Sequence, residues 1–485
     1  MQPENSSPKE PKTTTDTAEN AREGIDLDTG IGPDLETGAG RREIRNATAA
    51  SAMGNMTEWF DYGVYAVALT YITFHFFPTE EGTIMALATF ALSFLVRPLG
   101  GLVWGPLGDK MGRKHILALT IIMMSGATFL IGVLPTFEQV GVLAPVLLVL
   151  LRMVQGFSSG GEYGGAATFM AEYAPDKRRG FFGSFLEFGT LGGFALGTAV
   201  MLGFQLALSE EAMMAWGWRV PFMLALPMGV IGLYLRHKLE DTPVFQELEE
   251  RGEVQSNNSL RELIGTYWRP MLVMGGLVVA LNVVNYTLLS YMPTYLETQL
   301  GLDPKASLAV ILIGEMAMMA VIPFAGALSD RVGRKPMWFA SLIGLFVLAL
   351  PMFWLMGQSF PLAILAFAVL GLLYIPQLAT ITATFPAMFP SHVRFAGFAV
   401  TYNVATAIFG GTAAMVNQAV IEKTDFLLFP AAYMMAACVI GFIATRYMPE
   451  TAGASLRGTA IPDAHDTGIL ADGPKAGERD LVPQP

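Results

Sequence analysis

The sequence predicts an all-α membrane protein whose twelve transmembrane helices form two six-helix, pseudo-symmetric halves. Three observations carry this. The chain of 485 residues is 53% hydrophobic and 15% charged, with a mean hydropathy of +0.46, too apolar for a soluble multidomain protein. Twelve apolar runs follow one another, each near the length of about 20 residues that crosses roughly 30 Å of hydrocarbon. One loop motif stands twice, at equivalent places in the two sets of six: Gly105-Pro-Leu-Gly-Asp109-Lys-Met-Gly112-Arg113-Lys114 and Gly326-Ala-Leu-Ser-Asp330-Arg331-Val-Gly333-Arg334-Lys335. Repeats of this kind mark secondary transporters built from two related halves.

In chain order, residues 1–46 are polar, rich in Ser, Thr, Pro, Gly and acids, and are expected to be a disordered tail. No signal peptide is expected, because the first apolar run begins some 46 residues in and lacks a short basic leader and cleavage site. The runs fall at 48–77, 83–106, 115–134, 142–171, 180–207, 219–237, 270–296, 306–328, 336–356, 361–388, 396–421 and 427–448. The long polar stretch 239–268 separates an N-terminal half, 47–238, from a C-terminal half, 269–448. A second polar tail, 449–485, follows. Among the 30 Lys and Arg residues, Arg97 and Arg152 lie within runs. Only Arg219, Lys305 and Lys423 lie on the side reached after odd-numbered runs. The rest share a side with both termini, which the positive-inside rule makes cytoplasmic.

The first run carries Glu58 about 17 Å from a start near Ala47, close to the midplane, where a charge is most costly, and Asp61 one turn further on. Glu58, Asp61, Tyr62 and Tyr65 follow an i, i+3, i+4, i+7 series, so two acids and two phenols share one helix face. That face is expected to line a water-filled pathway. In the repeated motif, glycines permit a tight turn and close helix approach. Asp109, Arg113, Asp330, Arg331 and Arg334 can form charged links to helix ends that a rocking motion would break.

Cys438 is the one cysteine, and the five histidines are scattered without ligand spacing. No disulfide framework, metal site, phosphate loop or other cofactor is expected. The basic loops read as topology signals, so no nucleic acid and no obligate protein partner is expected. The expected partners are the lipid bilayer, a small-molecule substrate and protons, and no enzymatic chemistry is indicated.

The paired loop motif resembles that of the major facilitator superfamily. Further words point inside it: GNMTEWFDYGVY at 54–65, RPLGG at 97–101, QGFSSGGEYGGA at 155–166, PDKRRG at 175–180, LEDTPVF at 239–245 and FPAMFPSHVRF at 385–395. These resemble the metabolite:proton symporter family, whose members carry dicarboxylates, citrate, shikimate, aromatic acids, or proline and glycine betaine. WGWRVPF at 216–222 and NYTLLSYMPTYL at 285–296 are most similar to its proline/glycine betaine osmolyte branch. The resemblance implies the major facilitator fold, plasma-membrane residence and proton-coupled import. The tail after Thr451 has no apolar heptads, so regulation by a coiled coil is not expected.

The acids within the runs are Glu58, Asp61, Glu162, Glu187 and Glu315, against Arg97 and Arg152. A carboxyl without a partner in a low dielectric holds its proton until water reaches it. Counted along the helices, Arg97, Glu162 and Glu187 fall within about 10 Å of the cytoplasmic boundary. Arg97 is therefore expected to brace Glu162 or Glu187. Arg152 lies at the depth of Glu58 and Asp61 and is expected to bind a substrate carboxylate, with Glu58 or Asp61 carrying the coupling proton. Trp59, Tyr62, Tyr65, Tyr286 and Tyr402 are candidates for an aromatic cage around a quaternary ammonium. Glu315 is left open between a second proton site and a selectivity residue. No Lys or Arg stands at the midplane of the C-terminal half, which favours a zwitterion over a dicarboxylate. An organic-acid symporter is the alternative, and a solute sensor that does not transport is the reading from another class.

Overall fold

The structure, a computed structural model, describes residues 38–237, 259–454 and 456, apart from 112, 161, 391 and 392. Most of the expected linker at 239–268 and of both tails lies outside these residues. The first helix, α1, runs Gly38–Val67 and continues as Leu69–Phe76. Next come α2 (Gly82–Met111), α3 (Arg113–Val133), α4 (Leu143–Ser159 and Glu162–Tyr173), α5 (Arg179–Ala207) and α6 (Gly217–Arg219, Val220–Met223 and Ala225–His237). The second set opens with α7, Trp268–Asn285, which continues through π-helical turns at Tyr286–Tyr291 and Tyr295–Gln299. It goes on with α8 (Pro304–Val332), α9 (Arg334–Met356) and α10 (Phe360–Leu378 and Ile381–Thr384). The last two are α11 (Arg394–Ala405, a π-helical turn Thr406–Gly410, and Ala413–Thr424) and α12 (Phe429–Tyr447).

Ten of these are long and apolar enough to cross a membrane, and α3 adds the shorter apolar stretch Ala118–Val133. The remaining one is α1, which the charges of Glu58 and Asp61 make the least apolar of the set. Large apolar side chains cover the outside of the bundle, among them Phe324, Leu206, Leu272 and Val347, as a lipid-facing surface requires. Helix α1 starts at Gly38 rather than near Ala47. The cause is packing: Ile44 and Ala47 are buried against Tyr173, Phe169 and Phe182.

Within the first six helices, α1 packs on α5, α2 on α4 and α3 on α6. Within the second six, α7 packs on α12 and α11, α8 on α10, and α9 on α10 and α12. The two sets meet along α5–α8 and α2–α11, with α1 against α7 and α4 against α11. Adding six to each helix number exchanges α5–α8 with α11–α2, so the seam obeys the pseudo-symmetry that the repeated motif implied.

Lipid offers no hydrophobic force between helices, so close packing of small residues has to hold them. Helix α5 presents Gly189, Gly193 and Gly197 to α1. A Cβ at Gly189 would meet the Ala52 carbonyl oxygen at 2.2 Å, and one at Gly193 the Met56 carbonyl oxygen at 2.6 Å. Helix α4 does the same with Gly156 and Gly160 against α2, where a Cβ would lie 1.7 Å from the Ser93 carbonyl oxygen or 2.1 Å from that of Arg97. Both contacts are backbone on backbone, and no rotamer change relieves the clash.

Gly156→Ala is therefore expected to cost about 1–3 kcal/mol or more through overpacking, seen as a lower melting temperature in detergent. Gly203→Ala, where no atom lies within 4 Å, should leave the melting temperature unchanged or raise it slightly.

Buried charges at the seam

Helix α2 carries Arg97, 1% exposed, to face α1. Its Nη2 donates to Glu58 Oε1 at 3.3 Å and to the Tyr62 hydroxyl at 2.9 Å. Its guanidinium carbon sits 4.7 Å from the Phe94 ring centre, 4.9 Å from that of Tyr62 and 6.0 Å from that of Trp59, within cation–π range. Tyr286 of α7 closes the box from the other set of helices, with ring centres 5.0 Å from Phe94 and 6.4 Å from Trp59. The Tyr286 hydroxyl has no hydrogen-bond partner among the described residues. Trp59 is fixed in turn: its Nε1 donates to Asn55 Oδ1 at 3.1 Å, and Asn55 Nδ2 donates to the Leu186 carbonyl and the Thr190 hydroxyl of α5.

The expected brace between Arg97 and Glu162 or Glu187 does not form around Glu187. Helix α2 continues to Met111, which puts Arg97 about 21 Å from that end, level with Glu58. Glu187 instead accepts from the Tyr163 hydroxyl at 2.5 Å and from Thr190 at 2.9 Å, and the Glu162 side chain lies outside the described residues.

Arg152 is fully buried on α4. It donates to Gln155 Oε1 at 2.9 Å and to the Ser93 hydroxyl at 3.2 Å, and its guanidinium carbon lies 4.2 Å from the Tyr65 ring centre and 5.2 Å from that of Phe90. Asp61 is within electrostatic reach. All these partners belong to α1, α2 and α4. The three charges expected to converge are thus divided: Glu58 goes to Arg97, and Asp61 is left to Arg152. Both acids also line a small recess with Gly54, Thr57, Ile121, Met124, Ser125 and Gly232, between α1, α3 and α6.

The expected cage divides as well. Trp59, Tyr62 and Tyr286 surround Arg97, Tyr65 lies under Arg152, and Tyr402 stacks on Tyr163 with ring centres 4.6 Å apart. Phe90, Phe94 and Tyr163 escaped the sequence reading. Phe90, Phe94 and Arg97 are spaced i, i+4, i+7, one face of α2, and that signal was present. The polar residues of α7–α11 make interhelical hydrogen bonds: Asn282 to Thr406, Tyr291 to Gln418, Tyr374 to Asn285 and Gln377 to Ser341.

At the end of the bundle rich in basic residues, the α5–α8 seam is shut. Gly180 and Gly326 touch backbone to backbone. The Asp330 carboxylate accepts from the Gly180 and Phe181 amides at 2.8 and 2.9 Å, at the start of α5, where unpaired amides and the helix dipole favour an anion. Arg334 pairs with Asp330 at 2.7 Å, and Arg394 of α11 with Glu172 of α4 at 2.9 Å. Arg331 is exposed, whereas the side chains of Asp109 and Arg113 lie outside the described residues.

A twelve-helix bundle whose two sets meet at a seam holding buried charges defines a multi-pass membrane transporter rather than an enzyme. The chain belongs to the Major Facilitator Superfamily, whose family model matches residues 51–415. It is 44% identical over 439 residues to a glycine betaine/proline/ectoine/pipecolic acid transporter of Dickeya dadantii, covering 87% of this chain and 86% of that one. It is 41% identical over 440 residues to the proline/betaine transporter of Escherichia coli K12, covering 87% of each. A putative proline/betaine transporter of Staphylococcus aureus is 40% identical over 445 residues, 90% of this chain and 95% of that one. Among solved structures, a proton:xylose symporter shares the fold with a TM-score of 0.69 at 17% identity, covering 85% of this chain and 97% of that one.

Asp330→Asn is expected to loosen the closed seam. Each charge-assisted hydrogen bond contributes about 1.5–3 kcal/mol, so maleimide labelling of a Ser184→Cys probe, with Cys438 replaced, should rise about tenfold or more.

Proposed function

We propose that this chain is a proton-coupled symporter of the plasma membrane, with both termini cytoplasmic, that imports a small carboxylate-bearing zwitterion of the proline/glycine betaine type. The two six-helix halves, 47–238 and 269–448, rock about the seam, and the basic end is the cytoplasmic gate. The observation that carries the reading is the Arg97 guanidinium, held by Glu58 inside a box of Trp59, Tyr62, Phe94 and Tyr286 that straddles the two halves.

Such a box suits a zwitterion. Its aromatic faces can hold a quaternary ammonium, which has no hydrogen to donate, at about 0.5–2 kcal/mol per contact. Arg97 can hold the carboxylate through its planar fork once Glu58 lets go. The unsatisfied Tyr286 hydroxyl is a further donor on the opposite half. The geometry favours Arg97 over Arg152 for this role, because only Arg97 faces α7. Arg152 then serves as the charge partner of Asp61. Glu58 and Asp61 remain the proton carriers, reached through the recess between α1, α3 and α6. The relatives' names accord with the same substrate class.

The direct test is uptake of labelled proline into proteoliposomes under an imposed inward proton gradient. Excess glycine betaine should block it and 2-oxoglutarate should not; the reverse pattern makes the protein an organic-acid carrier, and binding without counterflow makes it a sensor. Asp61→Asn or Glu58→Gln should abolish accumulation while leaving exchange, and full accumulation in both variants would remove these acids from coupling. Arg97→Ala should weaken binding about 10–100-fold, the loss of one charge-assisted pair, and Arg97→Lys should recover only part of it. If Arg152→Ala alone abolishes binding, the carboxylate belongs there.

A further inference from the structure

We propose that Glu315 is a second proton-carrying site, set in the α5–α8 seam and separate from the α1 carboxyls. It lies on α8 with no exposed surface. Neither of its carboxylate oxygens has a hydrogen-bond partner among the described residues. Every other seam acid in view is engaged: Glu58 with Arg97, Glu172 with Arg394, Glu187 with Tyr163 and Thr190, and Asp330 with the amides of α5. An ionised carboxylate left bare in such a place costs several kcal/mol or more, and the group takes a proton instead.

The neighbouring polar atom fits the protonated form. Thr198 of α5 stands across the seam from Glu315, and its hydroxyl hydrogen is already given to the Phe194 carbonyl at 3.0 Å. With its hydrogen turned that way, its oxygen can accept from a carboxyl O–H. No cation intrudes. The titratable groups on the helices packed against α8 are Arg179 and Glu187 on α5, Asp176, Lys177 and Arg178 in the turn just before it, Tyr374 on α10, and Tyr291, Tyr295 and Glu297 near the end of α7. Arg179 bonds to Asp176 and to the Ala171 and Ala454 carbonyls, Tyr374 to Asn285, Tyr291 to Gln418, Tyr295 to the Leu427 carbonyl and Glu297 to Thr70. On α8 itself, Lys305, Asp330 and Arg331 lie at the ends, and α9 offers Arg334 and Lys335 at its start beside the basic end.

Position makes this proton part of the cycle. On the symport reading, which this inference rests on, the α5–α8 seam has to part or slide for access to alternate. When it parts, water reaches Glu315, the O–H bond breaks, the proton leaves with that water, and the carboxylate is hydrated. The seam closes again on the empty carrier without that proton, and Glu315 takes up a new one while the opposite face is open, before substrate is next occluded. A proton bound with one face open and released with the other adds one to the number moved per substrate.

The test is the substrate gradient at which net flux reverses, measured in proteoliposomes with the membrane potential clamped and a pH gradient imposed. Wild-type protein with two coupled protons balances about a hundredfold substrate gradient per pH unit, and Glu315→Gln about tenfold, one decade per proton. Counterflow by Glu315→Gln should stay near the wild-type rate, since the amide needs no proton to lie buried. A reversal gradient unchanged in Glu315→Gln overturns the proposal even if counterflow is intact. Should that variant not transport, infrared spectroscopy decides: a protonated-carboxyl band in wild-type protein at neutral pH that Glu315→Gln removes supports the proposal, and its persistence or its absence from wild type refutes it. Absence of counterflow in the wild type would instead sink the symport reading.

Discussion

A guanidinium placed inside hydrocarbon has to find its counter-charge and its hydrogen bonds within the protein, because lipid supplies neither. Arg97 meets that demand with Glu58, Tyr62 and the faces of Phe94 and Trp59. Each of these in turn needs a fixed helix. Trp59 is held through Asn55 to α5, and α1 can lie that close to α5 only because Gly189 and Gly193 leave room for its backbone. Arg97 itself lies where Gly160 of α4 touches its carbonyl. Removing one methyl group's worth of space far from the charges would therefore misplace them.

Two kinds of adhesion divide the labour. Inside the first set of helices, α1–α5 and α2–α4 are joined by glycine contacts that tolerate no displacement. Between the sets, beside the Gly180–Gly326 contact at the basic end and the ring contacts of Tyr286 and Tyr402, the links seen among the described residues are polar: Asp330 on the α5 amides, Arg394 on Glu172, Asn403 on the Gly160 carbonyl at 2.8 Å and Thr70 on Glu297 at 2.7 Å. Hydrogen bonds of this kind can be exchanged for water at small net cost. Close-packed backbone cannot. Apart from the single Gly180–Gly326 contact, the seam is thus where the bundle can yield without losing either set of helices.

The sequence showed the spans, because hydropathy and length are one-dimensional, and it showed the pseudo-symmetry, because the loop motif is written twice. The charge pairing was not legible. Residue counting gives depth along a helix but not its direction around the axis, and the depth of Arg97 was itself misjudged because α2 runs five residues past its expected end, to Met111. Arg97 and Arg152 are equally arginine in the sequence, yet α2 turns one toward α7 and α4 holds the other among α1 and α2. The glycine ladder at 189, 193 and 197 and the Phe90, Phe94, Arg97 face were written in plain spacing and needed only to be read as interfaces.

On the proposed symport reading, the division of the α1 acids between two arginines would let proton and substrate be coupled without any moving part within the first half. Glu58 and Asp61 lie one helical turn apart, each near one guanidinium, so two negative and two positive charges balance with the site empty. A zwitterion arriving with its carboxylate toward Arg97 and its ammonium in the aromatic box would bring a third negative charge close to the arginines, while its own positive charge would be held by neutral rings. Displaced from Arg97, Glu58 gives up the ion pair it held there. Uptake of one proton by either acid restores the balance, and because they are neighbours it matters little which takes it. Substrate and proton then bind better together than apart, which is the whole requirement for symport expressed as a coupling free energy.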